Sequence, residues 1–193
     1  MDDTEKALLD AALRAFSRYG VKRTSMSDLC QEAEVSRQTF YNKFHNKNDI
    51  LQALIRAYTE DALARIAEQR GACSGLGDLL DLVFARMVVD GYDMVSEMPN
   101  AEDFVDGVHA GARDEMEASG ERFRALIADI LTPFSATLGK AGLAVPELAD
   151  FLQRAAKAAG RNARDRDHLL TQLATLRQLC VAAATGVSTD PPQ

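Results

Sequence analysis

Hydrogen-bond donors are concentrated in residues 24–46, which read TSMSDLCQEAEVSRQTFYNKFHN. Ser25 followed three residues later by Asp28 predicts a capping box at the start of a short helix. Val35 and Ser36 predict a second helix start almost at once, so a tight turn must join the two helices. The stretch therefore predicts a helix-turn-helix.

The second short helix carries polar side chains outside its apolar face: Arg37, Gln38, Thr39, Tyr41, Asn42 and Lys43. Arginine and lysine bind phosphate or guanine, asparagine and glutamine bind adenine through two hydrogen bonds, and hydroxyl groups bind phosphate oxygens. One α-helix of this kind fits the major groove of DNA. A solvated polar face on a small helical hairpin is the alternative.

Charge is divided unevenly along the chain. The net charge of the 193 residues is −7, yet residues 12–48 hold seven Lys and Arg against three Asp and Glu. This local balance of +4 leaves −11 for the remainder, so attraction to a polyanion is confined to the N-terminal part. Helix dipoles explain part of the pattern, since Arg14 and Arg18 close the first helix.

Composition predicts a cytoplasmic globular protein. The chain is 47% hydrophobic, has no apolar run of the roughly 18 residues that span a membrane, and begins with MDDTEKALLD, which is too charged for a secretion signal. The cysteines at 30, 73 and 180 form no CxxC pair, so neither disulfides nor zinc are indicated. We expect Cys30 and Cys180 in the core, with a redox pair as the weaker alternative, and no metal or cofactor.

The first fifty or so residues resemble the DNA-binding domain of the TetR family of bacterial transcriptional regulators. The resemblance rests on a first helix ending in Phe16 and Gly20, on Thr24 and Ser25, on Val35-Ser36, Thr39-Phe40-Tyr41 and Phe44, and on Asn46-Lys47 before a long helix. It implies that the second short helix recognises DNA and that Thr39, Tyr41 and Lys47 contact phosphates. The predicted DNA-binding set is completed by Thr24, Ser25, Ser27 and Ser36.

Three positions depart from the family pattern. Glu34 stands where a turn glycine is usual, Gln38 where glycine or proline is common, and Lys43 where an aromatic residue or histidine is usual. Glu34 matters most, because the turn calls for a left-handed backbone and its carboxylate would lie near DNA.

The rest of the chain predicts helices without strand-like alternation. Asn46 caps a long helix, Asn100 caps a later one, and Pro133 predicts a kink. We expect an all-α fold of about nine helices. A three-helix helix-turn-helix DNA-binding domain, residues 1–46, precedes a helical effector-binding and dimerisation domain, residues 47–193.

The last two helices predict an association surface. Apolar residues recur in steps of four and three on the last helix, and alanines on the preceding helix permit close packing. In the TetR family such helices pair two subunits. The two DNA-binding domains, about 34–36 Å apart, then reach successive major grooves. The predicted interface is Phe151, Leu152, Ala155, Ala159, Leu169, Leu173, Leu176 and Cys180. Alternatively, this face covers its own chain.

The middle helices supply candidates for an effector cavity in the region where the family places one. They are Phe84, Met87, Tyr92, Met94, Phe104, His109, Met116 and Phe123. Ordinary core packing is the competing interpretation. Because Arg86 is the only obvious basic residue nearby, a small, mostly apolar effector is expected.

Enzymatic chemistry has weak support. Asp103, Asp106 and His109 share a helix face that suits a metal, but an acidic surface helix gives the same pattern. We therefore expect a DNA-binding transcriptional regulator, not an enzyme: a homodimeric repressor that an effector releases from a near-palindromic operator. The alternatives are a helical module that has lost DNA binding and acts through protein contacts, and a helical small-molecule enzyme.

Overall fold

The computed structural model describes residues 2–186, which form helices and turns with no strand among them. The helices are α1 (Asp3–Tyr19), α2 (Met26–Glu32), α3 (Arg37–Tyr41), α4 (Lys47–Gln69), α5 (Leu76–Phe84), α6 (Asp90–Ser96), α7 (Ala101–Gly111), α8 (Arg113–Leu131), α9 (Ser135–Lys140), α10 (Val145–Asn162) and α11 (Arg166–Thr185). A π-helical turn, Ala85–Val89, joins α5 to α6, and a 3₁₀ turn, Thr132–Phe134, joins α8 to α9. With each joined pair taken as one bent helix, the described part contains nine helices, which confirms the expected all-α fold.

The described helices form two compact units. The first unit contains the chain up to Asp61 together with Asp93–Ser119, and the second contains Ala62–Tyr92 together with the chain from Gly120 onwards. Helices α4 and α8 each contribute residues to both units. Residue 46, the predicted end of the DNA-binding domain, lies inside the first unit. The boundary therefore stays a prediction about which residues bind DNA.

The core of the first unit holds the shortest helix in place. Phe16, Phe40 and Ile50 are fully buried, and the Phe40 ring lies 5.9 Å from the Phe44 ring. Helix α3 has only five residues, too few to be stable alone. Burial of a side chain such as Phe40 contributes about 1.5–3 kcal/mol, so this anchor fixes the position of α3.

The turn after α1 is fixed by α7. Gly20 has a φ of +83°, and a Cβ there would overlap with the Asp103 carboxylate. That carboxylate accepts a hydrogen bond of 3.0 Å from the backbone N–H of Lys22. Asn100 is the N-cap residue of α7 as predicted, but its side chain makes no capping bond, because its amide donates to the Arg18 carbonyl at 2.8 Å. Carbonyls in the last turn of α1 lack helical partners, and this contact satisfies one of them.

The second unit has a separate core, made chiefly of α5, the π-helical turn, α8, α10 and α11. Helix α10 packs closely on the π-helical turn at Gly160, where a Cβ would come within 2.6 Å of Val88. Pro146 in the first turn of α10 and the 3₁₀ turn containing Pro133 both agree with the predicted helix boundaries. Within residues 2–186, none of the helices is both long enough and apolar enough to span a bilayer.

Candidate functional site

Serine residues cap both helices of the helix-turn-helix. The Ser25 backbone N–H donates to the Asp28 carboxylate at 2.8 Å, and the Asp28 N–H donates to the Ser25 hydroxyl at 3.2 Å, which confirms the capping box. The Ser25 backbone N–H and hydroxyl both donate to the Asp28 carboxylate, and these two bonds lower the pKa of Asp28. Ser36 caps α3 by accepting from the Thr39 N–H at 3.1 Å. Each cap contributes typically about 1 kcal/mol, so local sequence sets where the two helices begin.

The turn between α2 and α3 is a Schellman motif with glutamate at the left-handed position. The Val35 N–H donates to the Cys30 carbonyl at 3.2 Å, and the Glu34 N–H donates to the Gln31 carbonyl at 3.1 Å. Glu34 has a φ of +55°, and no other non-glycine residue in the described part has a positive φ. The expectation of a left-handed backbone at Glu34 is confirmed, and its side chain is exposed.

Exposed polar side chains surround the buried Phe40 in α3 and in the two residues that follow it. Arg37, Gln38, Thr39, Tyr41, Asn42 and Lys43 are all exposed. Arg37 donates from Nη2 to the Ser27 hydroxyl at 3.0 Å, which links α3 to α2. Gln38 and Asn42 lie one turn apart with their amides 3.4 Å from each other. The exposure of these six side chains agrees with the sequence, and their role in DNA binding stays a prediction.

Two lysines of the predicted DNA-binding set already have partners inside the first unit. The Lys43 ammonium lies 2.6 Å from the Asp2 carboxylate, and this hydrogen bond raises the pKa of Lys43. Lys47 is half-buried and donates to the Val21 carbonyl at 2.7 Å. A phosphate contact by either lysine therefore requires that it leave or share its present partner.

Thr24 is placed differently from its prediction. It is only 2% exposed, and its hydroxyl donates to the Gly20 carbonyl at 2.6 Å. This burial contradicts a direct DNA contact by Thr24, because a buried hydroxyl that is already bonded cannot reach a phosphate. Thr24 instead fixes the turn before α2.

Acidic residues offset part of the positive charge that the sequence assigns to the N-terminal region. Lys22 lies 3.5 Å from Asp103 and 3.8 Å from Asp106, so both carboxylates of the suspected metal face serve a cation. His109, the third member of that face, is exposed. Within the described residues, no group of three or more His, Cys, Asp or Glu side chains is placed to hold a metal ion.

The predicted dimer interface is largely interior to one chain. The side chains in the core of the second unit, corrected here from the predicted interface, are Leu152, Ala159, Leu169, Leu173 and Cys180, and all of them are buried. Ala155 and Leu176 are half-buried, and Phe151 is 58% exposed. The regular leucine spacing on α11 marks the stripe that packs against its own chain.

One apolar surface on α10 and α11 is open to solvent, and Phe151, Leu152, Leu176 and Cys180 of the predicted interface line it. It is a groove of about 660 Å³ whose exposed lining includes Leu143, Phe151 and Leu179, the last 64% exposed. Leu143 and Leu179 were missed because they stand outside the regular spacing. A large apolar residue among polar neighbours near the end of the chain was the available signal.

The predicted effector-pocket residues are divided between the two cores. Phe84, Met87, Phe123 and Tyr92 lie in or against the core of the second unit, Phe104, Met94 and Met116 lie in or against that of the first, and His109 is exposed. Within either unit they do not form one cavity wall. The effector pocket stays a prediction.

Two polar residues of α10 were missed in the second unit. Gln153 is 7% exposed, and the Lys157 ammonium lies 6.0 Å from the centroid of the Phe123 ring. Arg86, the basic residue that the sequence indicated, donates to Asp90 at 2.8 Å and to Gln69 at 3.1 Å. Polar residues one helical turn apart on a face otherwise made of alanine and glycine were the signal for Gln153 and Lys157.

Comparison with known proteins agrees with this geometry. Residues 8–54 match the family model described as bacterial regulatory proteins, tetR family. The chain is 38% identical over 93 residues to the HTH-type transcriptional regulator TtgR of Pseudomonas putida, an alignment covering 46% of this chain and 44% of TtgR. The matched region thus spans less than half the length of this curated relative.

Solved structures share the fold over nearly the whole chain. The fatty acid degradation regulator FadR from Bacillus halodurans has a TM-score of 0.65 and 17% identity, covering 94% of this chain and 96% of its own. A TetR transcription regulator from Haloarcula marismortui has a TM-score of 0.69 and 15% identity, covering 96% and 98%. The sequence match identifies residues 8–54 as a DNA-binding segment of the TetR family of bacterial regulatory proteins, and the solved structures share the all-α fold with the rest of the chain.

Proposed function

We propose that this protein is a sequence-specific transcriptional regulator that binds double-stranded operator DNA. The observation that carries the proposal is the exposed set of donors on α3, which the buried Phe40 and the Ser36 cap hold in place. These residues lie within the stretch that matches the family model. Such a regulator acts in the bacterial cytoplasm, and on the nucleoid when it is bound to DNA.

Base reading falls to Arg37, Gln38 and Asn42, because guanidinium and amide groups can pair with base edges through two hydrogen bonds. Thr39, Tyr41 and Lys47 are assigned to phosphates, which fix register and orientation. The Ser27 hydroxyl, 3.0 Å from Arg37, orients the guanidinium before DNA arrives.

The proposed regulator is a homodimer paired through the exposed surface of α10 and α11. Exposed leucine and phenylalanine side chains gain free energy when a second copy covers them. The two DNA-binding domains, about 34–36 Å apart, then reach successive major grooves of a near-palindromic site, and the second domain repeats the contacts of the first on the other half-site.

Repression is proposed to end when a small, mostly apolar effector binds the second unit. An effector releases DNA only if it binds more tightly to a conformation in which the spacing of the two DNA-binding domains does not match the operator half-sites. Helix α4 begins at Lys47, next to the predicted DNA-binding residues, and contributes to both units, so it is the element we assign to transmission.

Selection from a random duplex pool, followed by sequencing and titration at several salt concentrations, tests DNA reading. We expect a near-palindromic motif. Arg37→Ala should lose about 1–3 kcal/mol on that motif and relax its preference, whereas Lys47→Ala should weaken all duplexes alike. Lys140→Ala, an exposed lysine of α9, is the matched control. Weak binding without enrichment would refute the proposal and favour a module that acts through protein contacts.

A further inference from the structure

Arg23 is an exposed cation in the turn between α1 and α2. Among residues 2–186, no hydrogen bond or ion pair joins its side chain to another residue. The nearest acidic residue along the chain, Asp28, is bonded to the Ser25 backbone N–H and hydroxyl. The Arg23 guanidinium, which has several N–H donors and a permanent charge, is therefore free to bind an anion.

Several other cations of the first unit are already paired with acids. The pairs are Lys22 with Asp103, Lys43 with Asp2, Arg14 with Glu32 and Arg56 with Glu115. A carboxylate within 4 Å offsets part of the charge that a cation presents to DNA. The charge of Arg23 has no such offset, which sets this residue apart from its neighbour Lys22.

The residues on both sides of Arg23 are held by contacts inside the first unit. The Lys22 backbone N–H donates to the Asp103 carboxylate at 3.0 Å, and the buried Thr24 hydroxyl donates to the Gly20 carbonyl at 2.6 Å. A backbone that is ordered before binding lowers the entropy lost when a contact forms. The turn therefore presents Arg23 from a fixed position.

Arg23 also lies beside the part of the helix-turn-helix that joins α2 to α3. It stands two residues before Ser25, the N-cap of α2, and two residues of extended chain cover at most about 7 Å. Ser27, in the first turn of α2, accepts a hydrogen bond of 3.0 Å from Arg37 of α3. Arg23 thus adjoins the surface on which the proposed base-reading helix begins.

The chemistry of a free guanidinium at this place indicates its ligand. Arginine binds phosphate oxygens through parallel, charge-assisted hydrogen bonds, and phosphate contacts fix a protein on the duplex beside its base contacts. We propose that Arg23 binds a phosphate of the DNA backbone next to the major groove assigned to α3. It makes the contact that was predicted for Thr24 and that burial excludes there. This inference rests on the proposed DNA binding and adds one contact to each half-site.

Titration of the full-length protein with the enriched duplex and with unselected duplex, at several salt concentrations, tests this contact. Arg23→Ala should weaken binding to every duplex at least about threefold and lower the salt dependence by about one ion per DNA-binding domain. Arg23→Lys should retain most of the affinity, because an ammonium also binds phosphate. Arg23→Ala should unfold at the same temperature as the parent, since its side chain has no partner to lose.

Lys22→Ala is the matched control, because it removes the same charge from the neighbouring residue. An exposed arginine that is merely solvated still adds to the general attraction between the first unit and DNA. Lys22 faces Asp103 and Asp106, so its loss should weaken binding less than the loss of Arg23. Equal losses for the two variants would reduce Arg23 to general attraction and overturn the inference.

Neutral phosphates locate the contact on the duplex. A methylphosphonate placed at each backbone position in turn should weaken the parent at the phosphate that Arg23 binds. At that position the same replacement should cost Arg23→Ala much less, because the interaction is already absent. A parent and an Arg23→Ala variant with the same profile at every position would contradict the proposal.

The outcomes separate this inference from the proposed function. If the parent enriches an operator and Arg23→Ala binds it equally well, the regulator stands and the Arg23 contact fails. If the parent binds duplexes in a salt-dependent way without enrichment, and Arg23→Ala weakens this binding more than Lys22→Ala does, the contact stands and sequence reading fails. A parent that binds no duplex at any salt concentration refutes both.

Discussion

Single residues set the detailed geometry and charge of the candidate DNA-binding surface. Glu34 adopts the left-handed conformation that a glycine would take without strain, and it adds an exposed carboxylate beside α3. Lys43 carries a positive charge, but its ammonium is paired with the Asp2 carboxylate. Both residues therefore weaken DNA attraction or stability in ways that a substitution can reverse.

Glu34→Gly should raise the free energy of unfolding by about 1 kcal/mol, since it removes the Cβ penalty of a left-handed residue. Chemical denaturation measures this change. Glu34→Ala is the control, because it removes the carboxylate and keeps the strain. Both variants should bind duplex DNA more tightly if the charge matters, whereas only the glycine variant should be stabilised. Equal stability of the two variants would show that the turn is not strained.

Asp2→Asn should increase affinity for duplex DNA by about two- to fivefold, because Lys43 becomes free to bind a phosphate. Asparagine still accepts the Glu5 N–H as the cap of α1, so the helix start is preserved. Titration at several salt concentrations should also show a salt dependence steeper by about one ion. The same substitution in a Lys43→Met background should have no effect, and a gain there would place its cause elsewhere.

Helices of the first unit are tied by polar contacts between their ends and sides. The Thr59 and Ser119 hydroxyls, both buried, lie 2.7 Å apart, and Arg56 donates to Glu115 at 2.8 Å, so α4 and α8 are joined. Asp103 of α7 accepts from the Lys22 backbone and so fixes the turn after α1. These contacts link elements that are distant in sequence.

The contact of Asp103 predicts how acid affects the first unit. The hydrogen bond from the Lys22 backbone, with the Lys22 charge, lowers the pKa of Asp103 below its ordinary value of about 3.9. A lowered folded pKa contributes stability above the ordinary value, and this stability is lost as pH falls through the folded pKa.

Thermal unfolding of the parent and Asp103→Asn from neutral to acid pH measures this contribution. The variant should unfold at a lower temperature at neutral pH, and the difference should shrink as pH falls below about 4. Lys22→Met retains the backbone donor, so its difference from the parent should depend less on pH. A pH-independent difference for Asp103→Asn would contradict the assignment.

At the scale of the whole molecule, the proposed recognition of DNA requires a second copy of the chain. The largest exposed apolar side chains of the second unit, Phe151 and Leu179, line one groove on α10 and α11. A second subunit that covers these side chains would remove their apolar surface from water. A variant that loses dimerisation is therefore expected to lose recognition of the two-fold symmetric operator as well.

Leu179→Glu should convert the proposed dimer to a monomer, because it places a charge where a second subunit would exclude water. Sedimentation velocity measures the change, and circular dichroism should show intact helices, since the side chain is 64% exposed within one chain. Affinity for a two-half-site operator should fall to that for one half-site. Tyr19→Glu, an exposed aromatic position in the first unit, is the control and should remain dimeric.

Local sequence determined the helices and most of the donor surface. The caps at Ser25 and Ser36, the boundary at Pro146 and the strained turn at Glu34 depend on contacts within a few residues, so spacing and residue type were sufficient. The exposure of the polar residues of α3 follows for the same reason, because burial of Phe40 leaves its polar neighbours outside.

Only the tertiary structure decided which faces are inside. The leucine spacing of α11 is the same whether Leu169 and Leu173 meet their own chain or another, and packing buried them in their own chain. The burial of Thr24 depends on the Gly20 turn, which in turn depends on α7. Gln153 and Lys157 became noticeable only when α8 was placed against them. Burial is determined by packing against helices that are distant in sequence, and a local sequence pattern carries no information about those helices.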